Sequence, residues 1–291
     1  MDDCYETEIL HFDNPVFEKI GLTVLITMKD SNRRIQYMRQ LYENKPTATV
    51  VILHNKGFKK CRKEKVRNTL QDLWHANQKA ISLSFLLQGK KPLLILEDDV
   101  EFLPNFQTDA RQIETFFMKK KGACSYNLGS HVLLSVPSFT PHIRVLLGGM
   151  NQAVLYNGKA LKKMSFVQIG IVPHDLVLTL KIKTYIYKKP LTFQKLTQTA
   201  NSKAWNIAGI PLLIQKEMLG LGSSQKSFEN SHFLAPFGGM LPCLVGIIIS
   251  IFILYYKKNT TVVTFRELSP IAVTDTSASS SLSLVLDNPI V

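Results

Sequence analysis

Three short apolar runs, separated by helical patterns, constrain the fold of this chain more than any other feature. The runs are Leu22–Met28, Ala48–Leu53 and Leu93–Leu96, and all are rich in leucine or β-branched residues. Amphipathic stretches follow the first two runs, at Arg33–Tyr42 and Cys61–Gln88. This β-α-β-α-β order is typical of a parallel sheet with helices on its faces. Ligands of such sheets bind beyond the carboxyl ends of the strands.

The second half of the chain predicts a mixed lobe that completes the sheet. Helical spacing is present at Asp109–Met118 and Gly158–Met164, and strand-like runs are present at Gln152–Tyr156 and Thr184–Tyr187. Tyr126–Val136 has the pattern of a strand, a turn and a second strand. We therefore predict an α/β fold with a Rossmann-type mixed or parallel sheet flanked by helices.

An uncharged run of twenty residues, Phe237–Tyr256, lies near the C-terminus. Its length matches the ~30 Å hydrocarbon core of a bilayer. The two tyrosines that end it and the following Lys257 and Lys258 are typical of the membrane interface. We predict a single transmembrane helix over residues 237–256, with a buried core helix as the alternative.

The predicted domain organisation has four parts. An α/β domain occupies residues 1–215, a linker 216–236, the transmembrane helix 237–256 and a flexible tail 257–291. The linker prediction rests on the Gly- and Ser-rich stretch Gly220–Ser231. The N-terminus lacks the pattern of a secretory signal, which favours a cytoplasmic domain. Lys257 and Lys258 instead favour a cytoplasmic tail, so the side of the membrane stays open.

The chain is strongly basic. Its net charge is +13, and residues 237–291 carry three basic and three acidic side chains, so the whole excess lies in residues 1–236. Such a domain favours an anionic partner: nucleic acid, an anionic membrane surface or a phosphorylated substrate. A basic run over Lys56–Lys65 is either a solvated face or an attractor of anions. The cations are not interleaved with exposed aromatic residues in any recognisable nucleic-acid-binding module, so we predict no nucleic-acid partner.

Other function classes are disfavoured by missing motifs. The four cysteines form no C-x-x-C pair, which disfavours a disulfide scaffold and a structural zinc module. The sequence contains no G-x-G-x-x-G after a strand and no Walker loop. It also contains no G-x-S-x-G nucleophile elbow.

The acidic cluster Glu97-Asp98-Asp99 directly follows the third apolar run. Hard oxygen ligands of this kind suit Mg²⁺ or Mn²⁺. A metal held there can bridge a diphosphate and offset charge on a phosphate leaving group. The alternative is a solvated strand end that begins a turn.

These residues resemble glycosyltransferase family 25, the lipopolysaccharide-type and collagen-type glycosyltransferases. The resemblance is carried by VLITMKDSNRRIQYM, from Val24, and LLILEDDVEF, from Leu93. Looser similarity continues through GGMNQAVLYNGKALKKM, VPHDLVLTL and TYIYKKPLTFQ, so that residues 20–205 are covered. The resemblance implies a GT-A-like fold and the transfer of a hexose from a nucleotide sugar.

The resemblance also implies roles for particular residues. Glu97 and Asp99 match the two acids of the D-x-D motif, with Asp98 between them, and imply Mn²⁺ or Mg²⁺ against the diphosphate of a nucleotide sugar, above all a UDP-sugar. A glutamate at the first position shifts its carboxylate, so Asp99 is the stronger ligand candidate. Asp175, preceded by His174, matches a later acid and is a candidate base for the acceptor hydroxyl or a further contact to the metal or acceptor. His174 is the second catalytic candidate, with a structural role as its alternative.

The arginines at the start of the first helix are candidates for donor binding. Guanidinium groups bind phosphate bidentately, so Arg33 or Arg34 would contact the nucleotide or its phosphates, together with Asp98. The alternative is a solvated helix turn.

Together these observations predict a membrane-anchored, metal-dependent glycosyltransferase. Its donor is a nucleotide sugar, and its acceptor is a hydroxyl of a glycan, a lipid-linked molecule or a protein. The alternative is a catalytically inert, membrane-tethered binding protein of the same fold, which the glutamate in the first metal position favours. The Asp99→Asn variant separates the two, since only an enzyme would lose turnover while keeping its fold.

Overall fold

The structure, a computed structural model, describes residues 4–149, 152–169, 174–194 and 225–239, with single positions at 242, 245, 246, 249, 250 and 253. The chain divides into two compact units, Met1–Val245 and Gly246–Val291. All elements named below belong to the first unit.

The described part of the first unit contains eleven strands and six helices. The strands are β1 Tyr5–His11, β2 Leu22–Met28, β3 Thr49–Asn55, β4 Leu93–Glu97, β5 Val100–Phe102, β6 Cys124–Asn127, β7 His131–Ser135, β8 His142–Gly149, β9 Ala153–Tyr156, β10 Lys183–Tyr187 and β11 Thr192–Gln194. The helices are α1 Arg34–Asn44, α2 Thr69–Gln88, α3 Phe106–Met118, α4 Gly158–Ser165, α5 His174–Lys181 and α6 Gln225–Leu234. A 3₁₀ turn, Ala235–Phe237, follows α6.

Nine of these strands form one mixed sheet in the order β1-β3-β2-β4-β9-β6-β10-β8-β7. Parallel pairing joins β2 to β3, β2 to β4 and β6 to β10, and the other neighbours pair antiparallel. β5 and β11 form a separate antiparallel ribbon. The predicted α/β fold with a mixed sheet is confirmed in this part of the chain.

Both faces of the central strands are covered, as expected for parallel strands that read as continuous apolar runs. Alternate residues of one strand point to opposite faces, so Leu25 packs in one core cluster while Val24 packs in the other. The first cluster includes Phe106 and Ile113 of α3, and the second includes Ala80 of α2.

The register of the parallel strands brings three chain ends to one edge of the sheet. Met28 pairs with Asn55, and Ile26 pairs with Glu97, so β2, β3 and β4 all end there. We call this side the carboxyl edge. α2 leads from the end of β3 back to the start of β4, so its first turn lies at the carboxyl edge too.

Two features of the N-terminal region differ from the sequence analysis. β1 was not predicted because its sequence, YETEILH, is mostly polar and has no regular alternation; it is an edge strand that pairs antiparallel with β3. This pairing brings Cys4 to Cys61, with which it forms a disulfide across 57 positions of sequence. The spacing of the cysteines carries no signal for that pairing, because the pairing depends on a contact between strands.

The second predicted helix begins later than expected. α2 starts at Thr69, whereas the apolar spacing predicted a helix from Cys61. Asn68 is the N-cap and its side chain accepts a hydrogen bond from the Gln71 N–H at 2.9 Å. Lys65 has φ of 61°, in the left-handed region, and therefore interrupts any helix before the cap.

The predicted linker over 216–236 contains a packed helix in the part that the structure describes. Residues 225–234 form α6, and Phe228, Ser231 and His232 on this helix are fully buried. The Ser231 hydroxyl accepts a hydrogen bond from the Val132 N–H of β7 at 2.6 Å. The buried positions 228, 231 and 232 recur at the helical spacing of three and four residues, but two of the three are polar, so an apolar pattern does not predict the helix.

The predicted transmembrane helix falls mostly outside the described residues. Among the residues that are described, no helix is long and apolar enough to cross a membrane. The spanning helix therefore stays a prediction, as does the flexible tail over 257–291.

The packing of α6 can be tested with two phenylalanines of the same helix. Phe228 is fully buried against His131, with ring centroids 4.4 Å apart, whereas Phe233 is 69% exposed. Phe228→Ala is expected to lower the free energy of unfolding by about 3–5 kcal/mol through the cavity it leaves. Phe233→Ala is expected to change it by less than about 1 kcal/mol. Urea denaturation of both variants measures the difference, and equal small losses would contradict a packed α6.

His232 gives the fold a pH dependence. Its Nδ1 bonds to the Tyr187 carbonyl at 2.7 Å, its Nε2 accepts from the Ser130 N–H at 3.4 Å, and burial lowers the pKa of His232 to about 4. The unfolded state then binds more protons between pH 6.5 and 4, so the free energy of unfolding falls as pH falls through that window, by at most about 1.4 kcal/mol per unit. His232→Gln is expected to flatten this slope in urea denaturations at pH 4.5–7. An unchanged slope would contradict it.

Candidate active site

The acidic cluster lies where the sequence predicted, at the carboxyl edge. The apolar residues of β4 are buried and carry the chain to Glu97, which is the last residue of the strand. Asp98 and Asp99 then form the tight turn that joins β4 to β5. We call Glu97, Asp98 and Asp99 the acidic turn.

Asp98 organises the loop between β2 and α1. Its Oδ2 accepts hydrogen bonds from the hydroxyls of Thr27 at 2.7 Å and Ser31 at 2.8 Å. Its Oδ1 lies 3.4 Å from Nη1 of Arg33. Both oxygens of Asp98 therefore have partners within the protein.

Asp99 is held differently. It is 5% exposed, and its Oδ2 accepts a hydrogen bond from Nε2 of Gln194 at 2.8 Å and lies 3.5 Å from Nη1 of Arg33. Its Oδ1 is buried and receives no hydrogen bond from the described residues. Burial raises the pKa of the Asp99 carboxyl, the Gln194 N–H opposes this, and the neighbouring Asp98 raises it further.

The two arginines have different surroundings. Arg33 is the N-cap residue of α1, and its side chain is 13% exposed between Asp98 and Asp99. Arg34 forms a bidentate salt bridge with Glu8 of β1, at 2.9 and 3.0 Å, with its side chain 53% exposed. The structure thus brings Arg33 to the acidic turn, while Arg34, the first residue of α1, pairs with the edge strand β1.

One carboxylate oxygen of the acidic turn, Oδ1 of Asp99, is available to a divalent cation whose other ligands a substrate would supply. A buried acceptor without a donor indicates an ion or water that satisfies it, and Oδ1 of Asp99 is such an acceptor. Mg²⁺ is usually bound through one or two carboxylates plus substrate phosphates. No group of three or more acidic, histidine or cysteine side chains arranged for a metal occurs among the described residues. Glu97 is half-buried, and its ligand role stays a prediction.

The predicted catalytic pair is only partly described. His174 begins α5 and is 8% exposed, with its ring edge-on to Trp74 of α2 at 5.7 Å between centroids. Burial lowers the pKa of His174 to about 4, so the imidazole is neutral at pH 7. Trp74 lies in the second turn of α2, near the carboxyl edge. The side chain of Asp175 lies outside the described part, and the roles of both residues stay predictions.

Sequence reasoning missed three residues of the site. Thr27 and Ser31 flank the end of β2, where hydroxyls that follow a buried strand are the available signal. Gln194 ends β11, and its pairing with Val100 places it beside Asp99. Gln194 belongs to the TYIYKKPLTFQ segment that carried the family resemblance, but no role was assigned to it.

A shallow depression elsewhere on the surface holds none of these residues. It is lined by Arg111, Gln112, Thr115, Phe116, Lys119 and His142. The acidic turn is the stronger candidate because it has a buried carboxylate oxygen without a donor, whereas the depression is open to solvent.

Comparison with known proteins leaves the family open. No family model matches the chain, and no curated protein matches it. Among solved structures, it is similar to A197 from STIV, with 15% identity, a TM-score of 0.43 and coverage of 61% of this chain and 86% of that one. It is also similar to UDP-glucose pyrophosphorylase complexed with UDP-glucose, with 10% identity, a TM-score of 0.37 and coverage of 58% and 90%. Likenesses this low transfer neither an activity nor a site.

The different surroundings of Asp98 and Asp99 predict opposite effects on stability. Asp98→Asn weakens three contacts to a charged acceptor and is expected to lower the free energy of unfolding by about 1–3 kcal/mol. Asp99→Asn removes a buried charge while its amide oxygen still accepts from Gln194, so the free energy is expected to stay equal or rise at pH 7. That gain should shrink as pH falls, because burial raises the pKa of the Asp99 carboxyl and the folded wild type therefore takes up the proton before the unfolded chain does.

Urea denaturation of both variants in chelator measures these effects. A large loss of stability in Asp99→Asn would show that Asp99 is a structural acid and not one held ready for a ligand.

Proposed function

We propose that this protein is a metal-dependent glycosyltransferase that moves a hexose from a nucleotide sugar, above all a UDP-sugar, to an acceptor hydroxyl. The observation that carries the proposal is the buried, donor-free Oδ1 of Asp99 at the carboxyl edge, beside the cation of Arg33. The resemblance to glycosyltransferase family 25 supports it through the acidic turn. The predicted helix over 237–256 would anchor the protein in a membrane.

Different residues of the site have different proposed roles in binding the donor. Asp99, with Glu97 as its predicted partner, would hold Mn²⁺ or Mg²⁺. When bound, the ion would offset the negative charge that develops on the diphosphate leaving group. Gln194 holds Oδ2 of Asp99, which leaves Oδ1 for the ligand.

Arg33 adds a second positive charge at the same place. Asp98, held by Thr27 and Ser31, keeps the guanidinium within 3.4 Å of the acidic turn. A planar guanidinium binds phosphate oxygens bidentately, so Arg33 would orient the diphosphate and help to neutralise it. Arg34 keeps its predicted role in donor binding only if its salt bridge with Glu8 opens.

We assign the activation of the acceptor hydroxyl to residues in the second half of the domain. Asp175 is the proposed base for the acceptor hydroxyl, on the strength of the family resemblance. A base must lie within hydrogen-bond reach of the proton that it takes. His174 is neutral and packed against Trp74, which suits a supporting role for the start of α5.

One observation favours a second function, the binding of a nucleotide sugar without turnover. The guanidinium of Arg33 already bridges Asp98 and Asp99, which places one positive charge where a metal ion would act. This arrangement suits a protein that binds a nucleotide sugar without turning it over. The experiment below distinguishes this binding protein from the enzyme.

The full chain in a mild detergent is incubated with Mn²⁺ and a panel of nucleotide sugars, and release of free nucleotide is measured with and without chelator. We expect chelator-sensitive release from one donor. Asp99→Asn is expected to reduce it by about a hundredfold or more, the scale on which one transition-state charge contact acts. Glu101→Gln, two residues along, is the matched control and should retain the activity.

Donor binding is measured separately by calorimetry on the same proteins. Binding without release would favour the inert binding protein. If the protein neither binds any donor nor releases nucleotide from one, the proposal is overturned. The full chain is used because truncation within 225–239 would remove residues that pack on β7.

A further inference from the structure

The segment from Lys56 to Asn68, which we call the basic loop, is fixed in place at the carboxyl edge. Cys61 is tied to Cys4 by the disulfide. The Phe58 N–H donates to Oδ2 of Asp72 on α2 at 3.1 Å. Both contacts tie the loop to other elements of the fold.

Lys63 is the third anchor. Its ammonium is fully buried, forms an ion pair with Asp72 and donates to Oδ1 of Asn55. It also lies 4.6 Å from the centre of the Tyr5 ring. A buried ion pair needs every partner in place, so Lys63 holds the loop in one arrangement.

Lys56 is half-buried and lies 3.5 Å from Glu6, whereas the other cations of the basic loop besides Lys63 are exposed. The exposed ones are Lys59, Lys60, Arg62, Lys65 and Arg67. Glu64 is the acidic residue of the loop, and it lies 3.9 Å from Lys65. Lys59, Arg62 and Arg67 form no ion pair with any acid that the structure describes. The loop therefore presents a fixed, positively charged surface.

This surface adjoins the acidic turn. Lys60 forms an ion pair with Asp30. Asp30 immediately precedes Ser31, whose hydroxyl bonds to Asp98, and Arg33 lies two residues further on. One short segment thus contacts both the basic loop and the proposed donor site.

We propose that the basic loop binds phosphate groups on a hydrophilic glycan acceptor, beside the donor site. This inference rests on the proposed function, which supplies the donor. Fixed guanidinium and ammonium groups at the rim of a site attract and position phosphate esters. The exposed large apolar residues of the structure include none from the loop, which favours a phosphorylated glycan over a lipid.

Two other anionic partners fit the loop less well. A disulfide is typical of oxidising compartments, whereas the anionic lipids that attract polybasic segments are concentrated in the cytoplasmic leaflet. Single-stranded nucleic acids need stacking platforms, and the aromatic residue of the loop, Phe58, is partly buried.

The test measures binding of fluorescein-labelled dextran phosphate to the full chain in detergent and chelator, with unphosphorylated dextran for comparison. The variant Lys59→Gln/Arg62→Gln/Arg67→Gln leaves the three anchors intact. The matched control, Lys159→Gln/Lys162→Gln/Lys163→Gln, removes the same charge from α4. α4 follows β9, whose last residue pairs with the first residue of β4, so it lies at the opposite edge of the sheet.

We expect the loop variant to bind dextran phosphate at least about tenfold more weakly, with a flatter salt dependence, and the control to bind as the wild type does. Equal losses in both variants would overturn the proposal, because the binding would then report net charge alone. Stronger loop-dependent binding to phosphatidylcholine–phosphatidylglycerol vesicles or to an oligonucleotide than to dextran phosphate would also overturn it, in favour of a membrane or a nucleic acid.

Chelator keeps this experiment independent of the donor site. Loop-dependent binding in both the wild type and Asp99→Asn, with no nucleotide release by the wild type from any donor, would count against the proposed enzyme and for an anion-binding loop. With Mn²⁺ and the active donor, dextran phosphate should accelerate nucleotide release more than plain dextran does, and an equal effect of the two would refute the acceptor assignment.

Discussion

Parallel pairing of β2 with β3 and β4 is the constraint on which the rest of this structure depends. The three strands are buried on both faces, so a shift of one residue would exchange the side chains that fill the two core clusters. That register brings Met28, Asn55 and Glu97 to one edge. The loop before α1, the basic loop and the acidic turn all start from these strand ends, which is why their charged groups meet there.

At that edge the carboxylates of two adjacent residues, Asp98 and Asp99, have different partners. Asp98 is saturated by two hydroxyls and a guanidinium, and it holds the loop before α1 in place. Asp99 shares the same guanidinium but retains a buried oxygen without a donor. A fold that leaves such an oxygen unsatisfied gives up stability, which is typical of sites that receive a charged ligand.

A disulfide and a buried ion pair fix the basic loop at the carboxyl edge, beside the acidic turn. The disulfide and the ion pair between Lys63 and Asp72 turn a cationic stretch into a fixed surface. Asp30 links that surface to the segment that carries Ser31 and Arg33. A donor site and a binding surface for an anionic acceptor can therefore share one short segment of chain.

Local patterns in the sequence determined the central strands, α1, α3 and α4, and the position of the acidic turn, because strand and helix periods are read within one segment. Only the tertiary structure decided which acid is saturated and which is not, since Thr27, Ser31 and Gln194 reach the turn through pairings between distant strands. The disulfide, β1 and the burial of α6 were decided in the same way. Their contacts join residues far apart in the chain, and no short-range period or composition records such contacts.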